Sequence, residues 1–157
     1  MRDDSHVHTT MFGSDACTCT PQEAANLDLV RAYRAAKPSE RAPFLAPDFV
    51  RHRPGFKNIG ELWDGAAGMD DHSIEDRENV LLDLRAKDEV VWGIWRVVGT
   101  HTGDLYGIPA TQRPVDIVEV GLWRVADGLI VEAWYFGDDL ALVRQLGVDL
   151  PGRAELG

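Results

Sequence analysis

The last third of the chain sets carboxylates among aromatic rings at a regular spacing. In LIVEAWYFGD, residues Ile130, Glu132, Trp134, Phe136 and Asp138 stand two apart. Residues two apart on a strand point to one face. This parity gathers two aromatic rings and two carboxylates on one face and sends Val131, Ala133 and Tyr135 to the other. Upstream, QRPVDIVEVGLWRV places Ile117, Glu119, Gly121, Trp123 and Val125 on a comparable mixed face. Ala126-Asp127-Gly128 between the two runs reads as a short hairpin turn, since glycine accepts positive φ. Laid side by side, the strands are predicted to line one cavity with Glu119, Trp123, Trp134 and Asp138. A bulge would shift the parity by one residue and reverse the face. A carboxylate enclosed by rings is desolvated, so its pKa rises toward the range of a general acid or base. Asp138 is the first candidate for that role. The competing reading is that Asp138 or Asp139 caps the helix that follows.

Other candidates are scattered. His101 ends an earlier run in GTHTG, where it could carry a proton or anchor the adjacent loop through a backbone hydrogen bond. Trp92 and Trp95 fall on opposite faces of that run, so one of them belongs to the core. Tyr33, His52 and Phe56 are further candidates to reach the cavity, and the strand bearing Glu119 also offers Arg124. No glycine-rich phosphate loop, GxSxG elbow, HExxH helix or dinucleotide fingerprint occurs, which argues against a nucleotide cofactor or a structural metal. Cys17 and Cys19 are separated by one residue, too close for ordinary disulfide geometry. With His6 and His8 they would make a poorly spaced zinc site, so they read as incidental residues of a polar leader.

Positioning these residues requires a scaffold. Residues 1–20 are polar and lack any period, and they are expected to form a disordered leader. Thr20-Pro21-Gln22-Glu23 carries the signs of a helix start, with Thr20 as cap and Glu23 closing a capping box. Leu27, Val30, Tyr33 and Arg34 follow at helical spacing until Pro38. A short helical turn comes next, then an extended segment at 48–54, because Pro54 disfavours helix at Arg53. Residues 58–68 suggest a weak helix or lid. From Ser73 to Asp138 come four β-like runs, 76–85, 89–101, 112–125 and 129–138, and a closing helix over 139–146 is stopped by Gly147. Helices first and antiparallel strands afterwards make an α+β domain over residues 21–148, followed by a tail at 149–157. Apolar residues on both sheet faces call for a partner over the outer one, and Val131, Ala133 and Tyr135 are its predicted members.

The chain has 157 residues, enough for one domain, with 26 acidic against 16 basic residues and a formal net charge of −10. That balance disfavours nucleic acid and anionic membrane surfaces as partners. No apolar run approaches the ~20 residues of a membrane span, and the start lacks a signal-peptide pattern, so a cytoplasmic location is expected.

The run VVGTHTGDLYGIPATQRPVDI, followed by RVADGLIVEAWYFGDDLALVRQLG, resembles the SnoaL-like polyketide cyclases over roughly residues 21–148. The resemblance implies a nuclear transport factor 2-like (cystatin-like) fold, a cone-shaped α+β barrel whose curved antiparallel sheet wraps around N-terminal helices. It also implies a homodimer or homotetramer and an enclosed pocket for hydrophobic polyketide-type substrates, worked without a cofactor. In such cyclases an aspartate at the end of the last strand is acid and base for an intramolecular aldol closure, and Asp138 matches it. The aldol cyclases also use a histidine on the preceding strand; here that strand offers Glu119 and Arg124 instead.

The expected function is therefore a cofactor-independent cyclase of secondary metabolism. Asp138 would move the proton, while His101 and Glu119 orient the substrate or polarise its oxygens. Tyr33, His52, Phe56, Trp95, Trp123, Arg124, Trp134 and Phe136 would bind it. Two alternatives stay open. Glu119, Arg124 and Asp138 on one cavity would suit epoxide opening by paired carboxylates and an arginine. A pocket collapsed by its own tryptophans would indicate a non-catalytic binding or oligomerisation module.

Overall fold

The computed structural model describes residues 19–54 and 71–149. Most of the predicted leader, the 58–68 segment and nearly all of the C-terminal tail lie outside these residues. The chain runs α1 (Pro21–Ala35), two 3-10 turns (Pro38–Glu40 and Ala42–Phe44), β1 (Leu45–His52), β2 (Ile74–Lys87), β3 (Val90–His101), β4 (Pro114–Ala126), β5 (Leu129–Gly137) and α2 (Asp139–Leu146).

Helix α1 starts as its sequence dictates. Thr20 Oγ1 accepts from the Glu23 amide at 3.2 Å, and Glu23 returns a carboxylate oxygen to the Thr20 amide at 2.8 Å. The other Glu23 oxygen accepts the Asp88 amide at 3.0 Å, and Asn26 donates to the Asp88 carbonyl at 3.1 Å. The start of the helix is thereby pinned to the turn joining β2 and β3. These backbone donors hold the Glu23 carboxyl down at about 2. Helix α2 ends on Gly147 at φ 73°, where the left-handed backbone closes the last turn.

Five strands form one curved sheet in the order β1-β5-β4-β3-β2. The pairs from β2 to β5 are antiparallel, as expected, but β1 adds to β5 as a parallel edge strand. Strands β4 and β5 join through Asp127 and Gly128, both at positive φ, the backbone that a two-residue hairpin loop requires.

The concave face carries two apolar clusters. Val30 and Tyr33 of α1 pack on Val91, Trp95, Trp123, Ile130 and Ala133. Leu142 and Leu146 of α2 pack on Val97, Val115 and Ile117. Along β4 the inward residues therefore read Val115, Ile117, then Glu119 and Gly121, then Trp123 and Val125: a polar position separates the two clusters. Gly121 sits directly opposite Gly93 of β3. A Cβ on Gly121 would strike the Trp123 ring, and one on Gly93 would come within 2.7 Å of the Trp95 ring. The glycines let both indoles lie down on the sheet, in edge-to-face contact with centroids 4.9 Å apart.

One predicted face is reversed. Arg124 is opposite Glu132, but Val125 is opposite Ile130, so Val131 is an extra residue, a β-bulge. Ile130 points inward, and beyond the bulge so do Ala133 and Tyr135, all of them buried. Glu132, Trp134, Phe136 and Asp138 are turned to the convex side. The outer-face members Ala133 and Tyr135 named from parity are thus core residues. The parity on β4 holds: Ile117, Glu119, Gly121, Trp123 and Val125 all face inward.

Candidate functional site

Between the two apolar clusters lies a cavity of about 250 Å³. Its wall combines Tyr33, Phe49, Tyr106 and Tyr135 with Glu119 and five arginines, Arg34, Arg41, Arg51, Arg53 and Arg77. A roomier depression near Asp88 and Asp127 is open and lined by the two hairpin turns; it lacks this convergence of buried polar groups.

Glu119, with a side chain only 12% exposed, is the centre of the polar network. Its Oε1 meets Arg53 Nη1 at 3.0 Å, and its Oε2 meets Arg34 Nη2 at 3.4 Å. Arg53 reaches with its other terminal nitrogen to Asp139 at 2.8 Å. One guanidinium therefore bridges two carboxylates, from the end of β1 to the middle of β4 and the start of α2. Their protonation is pushed in opposite directions. Burial opposes ionisation of Glu119, but Arg53, Arg34 and Arg77 outweigh it and hold the carboxyl below its ordinary value. Burial raises Asp139, with Glu119 adding to the rise and Arg53 only partly offsetting it. Arg34 also stacks its guanidinium 4.6 Å from the centre of the Trp95 ring.

A second polar feature is a pair of tyrosines. Tyr33 and Tyr135 bring their hydroxyl oxygens within 2.9 Å, and the Trp123 indole N–H donates to Tyr135 at 3.1 Å. Two hydroxyl protons serve one shared contact. Whichever tyrosine donates to the other, one O–H remains for an occupant of the cavity. Burial, then the Tyr33 neighbour, raises the Tyr135 pKa, so this hydroxyl stays protonated.

The remaining predicted residues divide as follows. Trp95 and Trp123 lie in the core under the cavity, with Trp123 holding Tyr135. His101 is fully buried and anchors a loop: its Nδ1 accepts from the Thr111 amide at 3.2 Å, and burial lowers its pKa. It is not among the residues lining the cavity. His52, Arg124, Trp134 and Phe136 form a convex-face assembly. Trp134 stacks on His52 at 3.8 Å, and Glu132 links His52 with Arg124. The bulge at Val131 turned Trp134 and Phe136 to this side, while Arg124 lies there by the unbroken alternation of β4. Asp138 is exposed and caps α2, its Oδ1 accepting from the Ala141 amide at 2.9 Å. The set Glu119, Arg124 and Asp138 is therefore not assembled on one cavity. Phe56 lies outside the described residues. The residues missed from sequence are Arg34, Arg41, Arg51, Arg53, Arg77, Tyr106, Tyr135 and Asp139. One signal was available for Arg34, a charge set on the buried stripe of α1 beside Val30 and Tyr33.

Among the described residues no helix is long and apolar enough to cross a membrane, and no three His, Cys, Asp or Glu side chains gather as metal ligands.

A curved sheet closed by a helix over a cavity with a charged floor defines an α+β pocket domain of the nuclear transport factor 2-like type. The chain belongs to the SnoaL-like polyketide cyclase family, whose model matches residues 25–146. It is 27% identical over 139 residues to the aklanonic acid methyl ester cyclase DnrD of Streptomyces peucetius, spanning 82% of this chain and 94% of the relative. Two crystal structures share the fold. IdmH of Streptomyces antibioticus, described as a polyketide cyclase, superposes with a TM-score of 0.57 at 25% identity, over 78% of this chain and 99% of IdmH. A protein of Jannaschia sp. CCS1 described as a SnoaL-like polyketide cyclase gives 0.62 at 19% identity, over 84% and 98%.

Proposed function

We propose that the chain is a cofactor-independent cyclase of secondary metabolism that closes a ring on a polyketide-type substrate by acid–base chemistry in the concave cavity. The observation that carries this reading is Glu119, an ionised carboxylate buried beside two arginines on the same wall as a tyrosine pair with one O–H to give. Glu119 takes a proton from the carbon between two carbonyls. The enolate oxygen that develops receives the tyrosine hydrogen bond and the field of Arg34 and Arg53, groups already in place before charge appears. The enolate carbon then attacks a second carbonyl of the same molecule, and the new alkoxide takes the proton back from Glu119. No atom is gained or lost. The aromatic wall supplies the rest by holding a floppy substrate in its reactive conformation. In this assignment Glu119 takes the acid–base role for which Asp138 was the sequence candidate, because Asp138 caps α2 outside the cavity.

The pair of carboxylates on Arg53 favours one second reading, epoxide opening. There Glu119, held low, would activate the nucleophile, and Asp139, pushed up, would protonate the epoxide oxygen. The two readings differ in product mass. Incubation with aklanonic acid methyl ester and with the corresponding free acid is expected to yield an isomer of unchanged mass and new retention time. Absence of any isomer from both compounds would refute the cyclase reading, and addition of water to an epoxide substrate would install the second.

The active unit is proposed to be a homodimer. Trp92, Leu122 and Trp134 line up across β3, β4 and β5 on the convex face, with Val118 and Phe136 beside them. All five are more than a third exposed. A continuous apolar band of this kind suits a second copy of the same face.

A further inference from the structure

The chemistry above needs few of the positive charges around the cavity. Five arginines line it against one carboxylate, Glu119. With Asp139 added through its ion pair with Arg53, the two carboxylates answer Arg34 and Arg53, and Arg41 and Arg51 are left over among the described residues, in a chain whose formal net charge is −10. Arg34 Nε is buried with no hydrogen-bond partner among the described residues. Arg41 and Arg51 turn their guanidinium groups to the rings of Tyr33 and Tyr135, at 5.2 and 5.1 Å from the ring centres. Neither meets a carboxylate within ion-pair distance among the described residues. The crowding has an electrostatic cost: burial and the neighbouring Arg34 pull Arg77 down to about 10 and lower Arg41 as well. Like charges desolvated together destabilise a fold unless an anion joins them.

We propose that the substrate enters this cavity as an anion, with a free carboxylate on a planar ring system, and that the surplus arginines around Arg41 and Arg51 bind that carboxylate. The guanidinium fork matches a planar group with two oxygens, while Tyr33, Phe49, Tyr106 and Tyr135 supply flat apolar surface for the rings. A neutral methyl ester would leave the same charges unmatched. This inference rests on the cavity being the site of ring closure, and its test separates the two.

Calorimetric titration of the full chain compares 3-hydroxy-2-naphthoate with its methyl ester at low and at physiological salt. The acid is expected to bind about tenfold tighter or more, the scale of a charge-assisted hydrogen bond, and the margin shrinks with salt. Arg51→Gln changes an exposed side chain, so it folds, and it should lower the margin severalfold; Arg41→Gln should do the same. Equal or tighter binding of the ester overturns the inference and leaves the ring-closure reading standing, as does a margin that survives both substitutions. Failure of both probes to bind refutes the cavity as the site, and the inference falls with it.

Discussion

Glu119→Gln removes one charge and almost no volume, which makes it the most informative change in the cavity. In the wild type, Glu119 serves Arg53 at 3.0 Å and Arg34 at 3.4 Å from a nearly buried position. The amide oxygen of glutamine can replace one contact; its NH2 then faces the other guanidinium, donor against donor. Removing one partner of a buried pair costs about 3–5 kcal/mol. The low end applies here, because Asp139 still holds Arg53 and the Trp95 ring still supports Arg34. A loss of about 3 kcal/mol in a domain of this size lowers Tm by roughly 6–12 °C. Turnover falls about a hundredfold or more if Glu119 is the proton carrier. The loss of stability must also depend on pH. The folded state holds the Glu119 carboxyl below its ordinary 4.5, so the unfolded chain binds the proton first as pH falls. The contribution is complete above 4.5 and disappears as pH drops through the folded value. Urea melts of wild type and variant should therefore be furthest apart near neutrality and converge below pH 4.5. A gap unchanged across that range would refute the electrostatic account, and unimpaired ring closure in the variant would refute the catalytic one.

Asp138→Asn should leave both stability and turnover within measurement of wild type, because asparagine caps nearly as well, whereas Asp138→Ala costs about 1 kcal/mol in a urea melt; a hundredfold loss of turnover in Asp138→Asn would restore that residue as the proton carrier. Tyr135→Phe strips the acceptor from the Trp123 indole and should cost about 1–3 kcal/mol while slowing ring closure, and a variant as stable and active as wild type would remove the tyrosine pair from the mechanism. Trp134→Glu puts a charge in the convex apolar band, so light scattering should show the wild-type dimer falling to a monomer with an unchanged far-ultraviolet spectrum; a wild-type monomer at micromolar concentration would refute the assigned face.

Local rules read the scaffold well where the determinants are local. The Thr20–Glu23 capping box, the Asp127-Gly128 turn and the Gly147 stop each depend on a few adjacent residues, and α1, the β4–β5 hairpin and α2 form where those residues stand. Parity failed on β5 because one inserted residue, Val131, reverses the face of everything after it, and whether a strand bulges depends on its partner rather than on itself. The polar network was hidden for a different reason. Arg34, Arg53, Arg77, Glu119 and Asp139 come from five separate elements or their ends and share no sequence spacing, so only the fold brings them together. Asp138 and Asp139 illustrate the limit: two identical side chains in succession, one spent on a helix start and one turned to Arg53, with a single peptide unit deciding between them.

The facing pair Gly93 and Gly121 acts as a dial on capacity. Any side chain at Gly121 would strike the Trp123 indole and force it from its berth behind Tyr135, a residue of the cavity wall. A single base change in that codon would thus resize the chamber from behind its wall. The same indole steadies the Tyr135 hydroxyl through its N–H, so the lodging for larger or smaller rings cannot be retuned there without also disturbing the proton that greets them. Descendants of this chain that adopt substrates of a new size are expected to alter the neighbouring edge strand, at Phe49 or Leu45, and keep both glycines. A library randomised at these four positions and selected for folded, ligand-binding protein would show which wall yields.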